Sequence, residues 1–94
     1  MFFIQMEILS KSHVAKILKT LLKKDRMYYS ELTNNMKLSN YGTINLRINE
    51  LKTLGLIDEE VEDKFGGRRY IWLTPKGKQV AEKLKEIEEI LKEE

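Results

Sequence analysis

Ninety-four residues with 34% charged side chains, a formal charge of +2 and no cysteine suffice for one small domain and exclude a disulfide framework or thiolate metal sites. The single histidine argues against an all-protein zinc site, so no metal and no cofactor are expected. So short a chain has a limited core, and domains of this size often gain stability by oligomerising.

The N-terminal stretch MFFIQMEIL is apolar, but it lacks a basic flank and Glu7 interrupts it. It is a poor signal peptide and too short to span a membrane, so a soluble, cytoplasmic protein is expected. Ile4, Met6 and Ile8 would suit a strand, whereas Phe2, Phe3, Met6 and Leu9 would suit a helix; the helix is favoured. Either way Phe2 and Phe3 need a surface to cover them, and a second subunit could supply it.

Ser10 and Ser12 are candidate N-caps for a helix from His13 to Lys24. Its apolar face is Val14, Ile17, Leu18, Leu21 and Leu22, and its lysines lie outside. His13 reads as an exposed or capping residue. Asp25-Arg26 makes a turn, and Met27-Tyr28-Tyr29 is strand-like. Ser30 is read as the cap of a short helix from Glu31 to Met36 that buries Leu32 and Met36. Thr33 falls where a capping box would place Glu, so the box is absent. A polar turn from Lys37 to Tyr41 follows.

The next helix starts near Tyr41 or Gly42. Ile44, Ile48, Leu51 and Leu54, spaced four, three and three, form its buried face. Asn45, Arg47, Asn49 and Lys52 lie opposite, the side-chain types that reach base edges and phosphates in a major groove. Gly55 can take the left-handed conformation that ends a helix. Leu56 to Val61 then reads as a strand, DKFGG (63–67) as a hairpin tip, and Arg68 to Leu73 as the returning strand. Alternation puts Tyr70 and Trp72 on one face of it, Ile71 and Leu73 on the other. It also sends Arg68 and Arg69 to opposite faces.

Thr74-Pro75 is a strong helix start. The last helix should run to about Lys92, some 27 Å at ~1.5 Å per residue. Val80, Leu84, Ile87 and Leu91 form a two-heptad seam, which Ala81 and Ile90 widen. A lone helix projecting past a small core would leave it bare, so it is read as a dimer contact, with Phe2 and Phe3 added. This helix holds five Lys and six Glu, net −1, leaving +3 for the rest. The fold expected is α+β and mostly α: a winged helix-turn-helix with a two-stranded β wing and a long C-terminal dimerisation helix. Residues 1–74 would form the DNA-binding part and 75–94 the dimerisation helix of the same compact unit.

Three runs carry a resemblance to known families. ILSKSHVAKILKTLL (8–22) resembles the first block of ArsR-like regulators. YGTINLRINELKTLGLI (41–57) resembles the PadR and ArsR recognition helix ending in Gly-Leu-Ile. RRYIWLTPKGKQV (68–80) resembles the wing end of PadR and MarR proteins. The chain thus resembles a minimal winged-helix transcriptional regulator of the MarR, ArsR and PadR kind. The cysteines of ArsR metal sensing are missing, so metal sensing is not implied. The resemblance implies DNA contacts from Thr43, Asn45, Leu46, Arg47 and Asn49, with Ser39, Asn40 and Tyr41 of the turn near phosphate. Leu46 either meets a thymine methyl or packs on the neighbouring helix. Lys64, Arg68 and Arg69 of the wing, net +2 with Asp63, would follow a phosphate backbone or enter a minor groove.

The expected function is sequence-specific binding of double-stranded DNA by a homodimer that regulates transcription. The alternatives are a winged-helix protein-interaction module of a larger transcription or replication assembly, and a non-specific chromatin protein. No carboxylate pair, base-activated nucleophile or phosphate-cradling loop is present, so no enzyme is expected. The abundance of Lys, Glu and Ile without Cys leans toward a heat-adapted source.

Overall fold

A computed structural model describes residues 5–36, 41–62 and 68–93. A short 3-10 helix (Gln5–Ser10) leads into α1 (Val14–Leu21), β1 (Met27–Tyr28), α2 (Tyr29–Met36), α3 (Tyr41–Thr53), β2 (Ile57–Val61), β3 (Arg69–Leu73) and α4 (Pro75–Lys92). The favoured reading of the N-terminal stretch, a short helix, holds for its described part. The hairpin of β2 and β3 gains a third strand, because β1 pairs antiparallel with β3 in the order β1-β3-β2. Ile57 faces Leu73 and Val61 faces Arg69 in the register of the hairpin.

The core forms where the predicted apolar faces meet. Val14, Ile17, Leu18 and Leu21 of α1, Leu32 and Met36 of α2, and Ile44, Ile48 and Leu51 of α3 are all buried. Met27, Ile57, Ile71 and Leu73 close it from the inner face of the sheet, and Ala81 closes it from α4. Each large side chain of this set stabilises the fold by about 1.5–3 kcal/mol relative to exposure.

Of three helix starts, two differ from expectation. α1 is shorter than 13–24, and neither Ser10 nor Ser12 caps it. His13 holds the N-cap position at φ 69° with no side-chain cap, while the Ser10 hydroxyl donates to the carbonyl of Glu7 at 2.7 Å. α2 begins one residue before Ser30, so Ser30 is inside the helix. That shift places Glu31 third in the helix, where its carboxylate accepts from the backbone N–H of Tyr28 at 3.2 Å. This is half of a capping box, two residues before the position where Thr33 suggested its absence. Third, α4 starts as expected: the Thr74 hydroxyl accepts from the N–H of Gly77 at 3.0 Å, with Pro75 in the first turn.

The end of α3 is locked to the start of α4. Gly55 sits at φ +76°. Its N–H donates to Lys52 O at 2.9 Å, and that of Leu56 donates to Leu51 O at 3.0 Å. This is the paired bonding of a Schellman stop. The carbonyls freed there are taken by α4. Thr74 Oγ1 donates to Gly55 O at 2.6 Å and Lys76 Nζ to Leu54 O at 3.2 Å, and the Thr74 N–H donates to Leu56 O at 3.1 Å. Gly77 packs so closely here that a Cβ would stand 1.7 Å from the Leu56 oxygen.

Candidate nucleic-acid interface

The outward side of α3 is a stripe of Gly42, Leu46, Asn49 and Thr53, all exposed and spaced four, three and four along the helix. Leu46 is 53% exposed, which settles its two readings against packing on a neighbouring helix. Tyr41 is exposed at the helix start, and Thr43 and Asn45 are half-buried. Thr53 Oγ1 donates to the backbone carbonyl of Asn49 at 2.9 Å, leaving the Asn49 amide to solvent.

The two arginines nearest the stripe are engaged elsewhere. Arg47, with its side chain 16% exposed, pairs through Nη1 with Glu50 at 2.7 Å. Its Nε donates to the carbonyl of Ser12 at 3.1 Å, and Nη2 reaches the Ser12 hydroxyl at 3.4 Å. Lys11 pairs with the other oxygen of Glu50. Lys11 first and Arg47 second hold the Glu50 carboxyl below its ordinary value. This cluster ties α3 to the turn before α1.

Arg69 makes the equivalent tie to the wing. Its Nε and Nη2 meet Glu59 Oε2 at 3.0 and 2.9 Å, and Nη1 donates to Asn45 Oδ1 at 2.6 Å. The guanidinium lies 4.7 Å from the ring centre of Tyr29, a cation–π contact. Lys52 also donates to Glu59, at 3.2 Å. The Tyr29 hydroxyl beneath is buried without a hydrogen-bond partner, and burial raises its pKa.

Arg68 lies on the opposite face of the sheet, as alternation requires. It is exposed, donates to the Tyr28 hydroxyl at 3.0 Å and sits 5.1 Å from that ring. Tyr28 and Tyr70 stack with centres 4.7 Å apart, and Tyr70 donates to Glu62 at 2.6 Å. That bond first, with the Tyr28 hydroxyl second, pushes the Tyr70 phenol well up. Bonds to Tyr70 and Arg68 draw the Tyr28 phenol down. Arg26 lies 4.6 Å from the rings of both Tyr70 and Trp72. The outer sheet face is thus an aromatic platform already covered by the chain's own arginines.

Of the other expected site residues, Ser39, Asn40, Lys64, Phe2 and Phe3 lie outside the described residues, as does the tip DKFGG. On α4, Val80 and Leu84 are half-buried against the core, while Ile87 and Leu91 are 52% and 79% exposed. Glu59 was not singled out from the sequence, yet it holds both Arg69 and Lys52. Its signal was positional: an acid alternating with Ile57 and Val61 on the inner side of a strand requires a cation. The Arg47–Glu50 pair was visible as an i,i+3 spacing.

A helix-turn-helix whose second helix presents an acid-free outer stripe beside a β hairpin defines a winged-helix transcriptional regulator, a DNA-binding class. Residues 8–94 match the HxlR-like helix-turn-helix family, and the chain belongs to it. An uncharacterized protein of Methanocaldococcus jannaschii is 36% identical over 86 residues, 89% of this chain and 70% of that protein. Two solved structures are alike in fold. A protein of Thermoplasma volcanium, described as a possible HxlR family transcriptional factor, superposes with a TM-score of 0.80 at 18% identity, over 92% of this chain and 76% of that one. A MarR family protein of Porphyromonas gingivalis gives 0.79 at 23% identity, over 95% and 86%. No helix among the described residues is long and apolar enough to cross a membrane.

Proposed function

We propose that the protein is a homodimer that binds specific double-stranded DNA sequences and regulates transcription there. The observation that carries this reading is the outer stripe of α3: Gly42, Leu46, Asn49 and Thr53 are exposed together and no carboxylate lies among them. A helix face without acids can approach phosphates and base edges closely. Arg68 and Lys64 of the wing, with Ser39, Asn40 and Tyr41 before and at the helix start, would add phosphate contacts. These fix register without reading sequence.

The two-fold partner is assigned to the end of α4. Ile87, Ile90 and Leu91 are 52%, 63% and 79% exposed, an apolar strip that a second α4 would cover. Two recognition helices would then enter major grooves about one helical turn apart. The same strip would also suit a different chain, as the interaction-module reading requires, so solution mass and DNA binding must be measured together.

Light scattering at micromolar protein should give about twice the 11.1 kDa chain mass. Fluorescence anisotropy on duplexes enriched from a random pool should give saturable binding that weakens at least tenfold between 50 and 200 mM salt, as expected for several phosphate contacts. A monomer with no saturable binding to any duplex would favour the interaction module.

A further inference from the structure

We propose that the described part of α3 reads A·T base pairs, through Leu46 and Asn49, and offers no guanine reader. This rests on the DNA-binding function above and names the chemistry of its target. Guanine is most often read by an arginine or lysine that reaches O6 and N7 together. The one arginine of α3, Arg47, has all three of its nitrogens directed to Ser12 and Glu50. Its side chain is only 16% exposed. Arg69, the nearest wing arginine, is held by Glu59 and Asn45 and lies over Tyr29. Lys52 is held by the other oxygen of Glu59. Drawing any of these cations into a groove would strip Glu50 or Glu59 of a partner.

Asn45 is removed from adenine reading by the same clamp. An arginine has only donors, so the Asn45 atom 2.6 Å from Arg69 Nη1 must be its oxygen. The two-point contact to adenine needs that oxygen for N6–H and the amide nitrogen for N7. Asn45 instead fixes the angle between the wing and α3.

Of the outward stripe, Gly42 has no side chain and the Thr53 hydroxyl is bonded to the Asn49 carbonyl, which leaves Leu46 and Asn49, three residues apart and both exposed. A leucine offers apolar contact to the C5-methyl of thymine, and a free asparagine amide pairs with N6 and N7 of adenine. Gly42, one turn before Leu46 and without a side chain, lets the groove floor come close to that end of the stripe.

The test is a binding selection from a random duplex pool with the intact protein and with Asn49→Ala, Leu46→Ala, Arg47→Met, Lys52→Met and Arg69→Met, each checked for folding by circular dichroism. The expected motif has an adenine whose preference falls roughly 5- to 150-fold in Asn49→Ala. It also has a thymine whose replacement by uracil weakens binding severalfold in the wild type and not in Leu46→Ala. The methionine variants should keep the same motif. A required guanine, above all one whose preference disappears in Arg47→Met, Lys52→Met or Arg69→Met, would overturn the inference and leave DNA binding standing. Saturable binding without sequence preference would do the same. No saturable binding to any duplex would overturn the proposed function and this inference with it.

Discussion

The helix α3 and the C-terminal helix α4 carry apolar stripes of similar spacing, yet they meet different fates. Ile44, Ile48 and Leu51 of α3 are all 0% exposed. On α4 only Ala81 of the stripe is buried, Val80 and Leu84 are half-buried, and exposure then climbs from Ile87 to Leu91. The cause is length. α4 packs along α1, but α1 has 8 residues to its 18, roughly 12 Å against 27 Å. α1 cannot cover the last turns, although the Lys19–Glu88 ion pair reaches that far. One stripe belongs to this chain's core; the other extends beyond it.

The largest effect should separate the two stripes directly. Ile48→Ala should cost about 2–5 kcal/mol of stability in urea titrations, by lost burial and the cavity left behind. Leu91→Ala should stay within about 0.5 kcal/mol at low protein concentration. If α4 pairs with a second copy, the Leu91→Ala cost should grow with concentration, because dimerisation adds stability by mass action. A large cost that is independent of concentration would show that the end of α4 packs within its own chain, and the comparison would fail.

The joint between the two helices should give the next largest effect. Gly77→Ala ought to gain about 1 kcal/mol in helix propensity. Instead the new Cβ meets the Leu56 oxygen at 1.7 Å, against backbone that also accepts from Thr74. A net loss of about 1–3 kcal/mol is expected, read as a lower thermal midpoint. A neutral result would mean that α3 and α4 are not rigidly joined.

Much of this architecture was legible because local chemistry left little choice. Gly55 after the last apolar residue of α3, Thr74-Pro75 before α4, and alternation through Ile71 and Leu73 each name one conformation, and each is observed. The start of α1 was not legible, since two serines stood as better caps than His13 and tertiary packing overrode them. The start of α2 moved two residues earlier, from Glu31 to Tyr29, which turned Glu31 from an ordinary first-turn acid into a cap. The candidate interface was legible as a helix face but not in its internal pairing. Which of Arg47, Arg68 and Arg69 is committed to an acid depends on Glu50 and Glu59. The first is near in sequence; the second is brought in only by the sheet.

Acid should loosen α2, α3 and α4 through carboxylates held below their ordinary value of 4.5: Glu50 of α3 by Lys11 and Arg47, Glu88 of α4 by Lys19, and Glu31 of α2 by Lys24 and the Tyr28 N–H. A lowered folded-state pKa means that the charged form is favoured by folding. Its stabilisation is fully present above pH 4.5 and is lost as pH falls through the lower folded value. Thermal midpoints should therefore fall below pH 4.5, by a modest amount because these pairs are solvent-exposed. The drop should shrink in Glu88→Gln and at 1 M salt. A midpoint indifferent to acid would mean that the ion pairs anchoring α3 and α4 contribute nothing measurable.

The smallest effect compares the two helices that pack together, by how each begins. Thr74 caps α4 with its hydroxyl. His13 begins α1 at φ 69° with no side-chain bond, a conformation that costs an L-residue about 1–2 kcal/mol. Glycine adopts it freely but adds about 0.5–1 kcal/mol of unfolded-chain entropy. His13→Gly should therefore stabilise by about 0.5 kcal/mol, while Thr74→Ala should destabilise by about 1 kcal/mol. Opposite signs at the two starts would show that α4 is held by its own cap, whereas α1 is held by the core despite its start. If His13→Gly instead destabilised, the imidazole would have to be packing at the junction between the 3-10 helix and α1, and the strain at that junction would be offset by that contact.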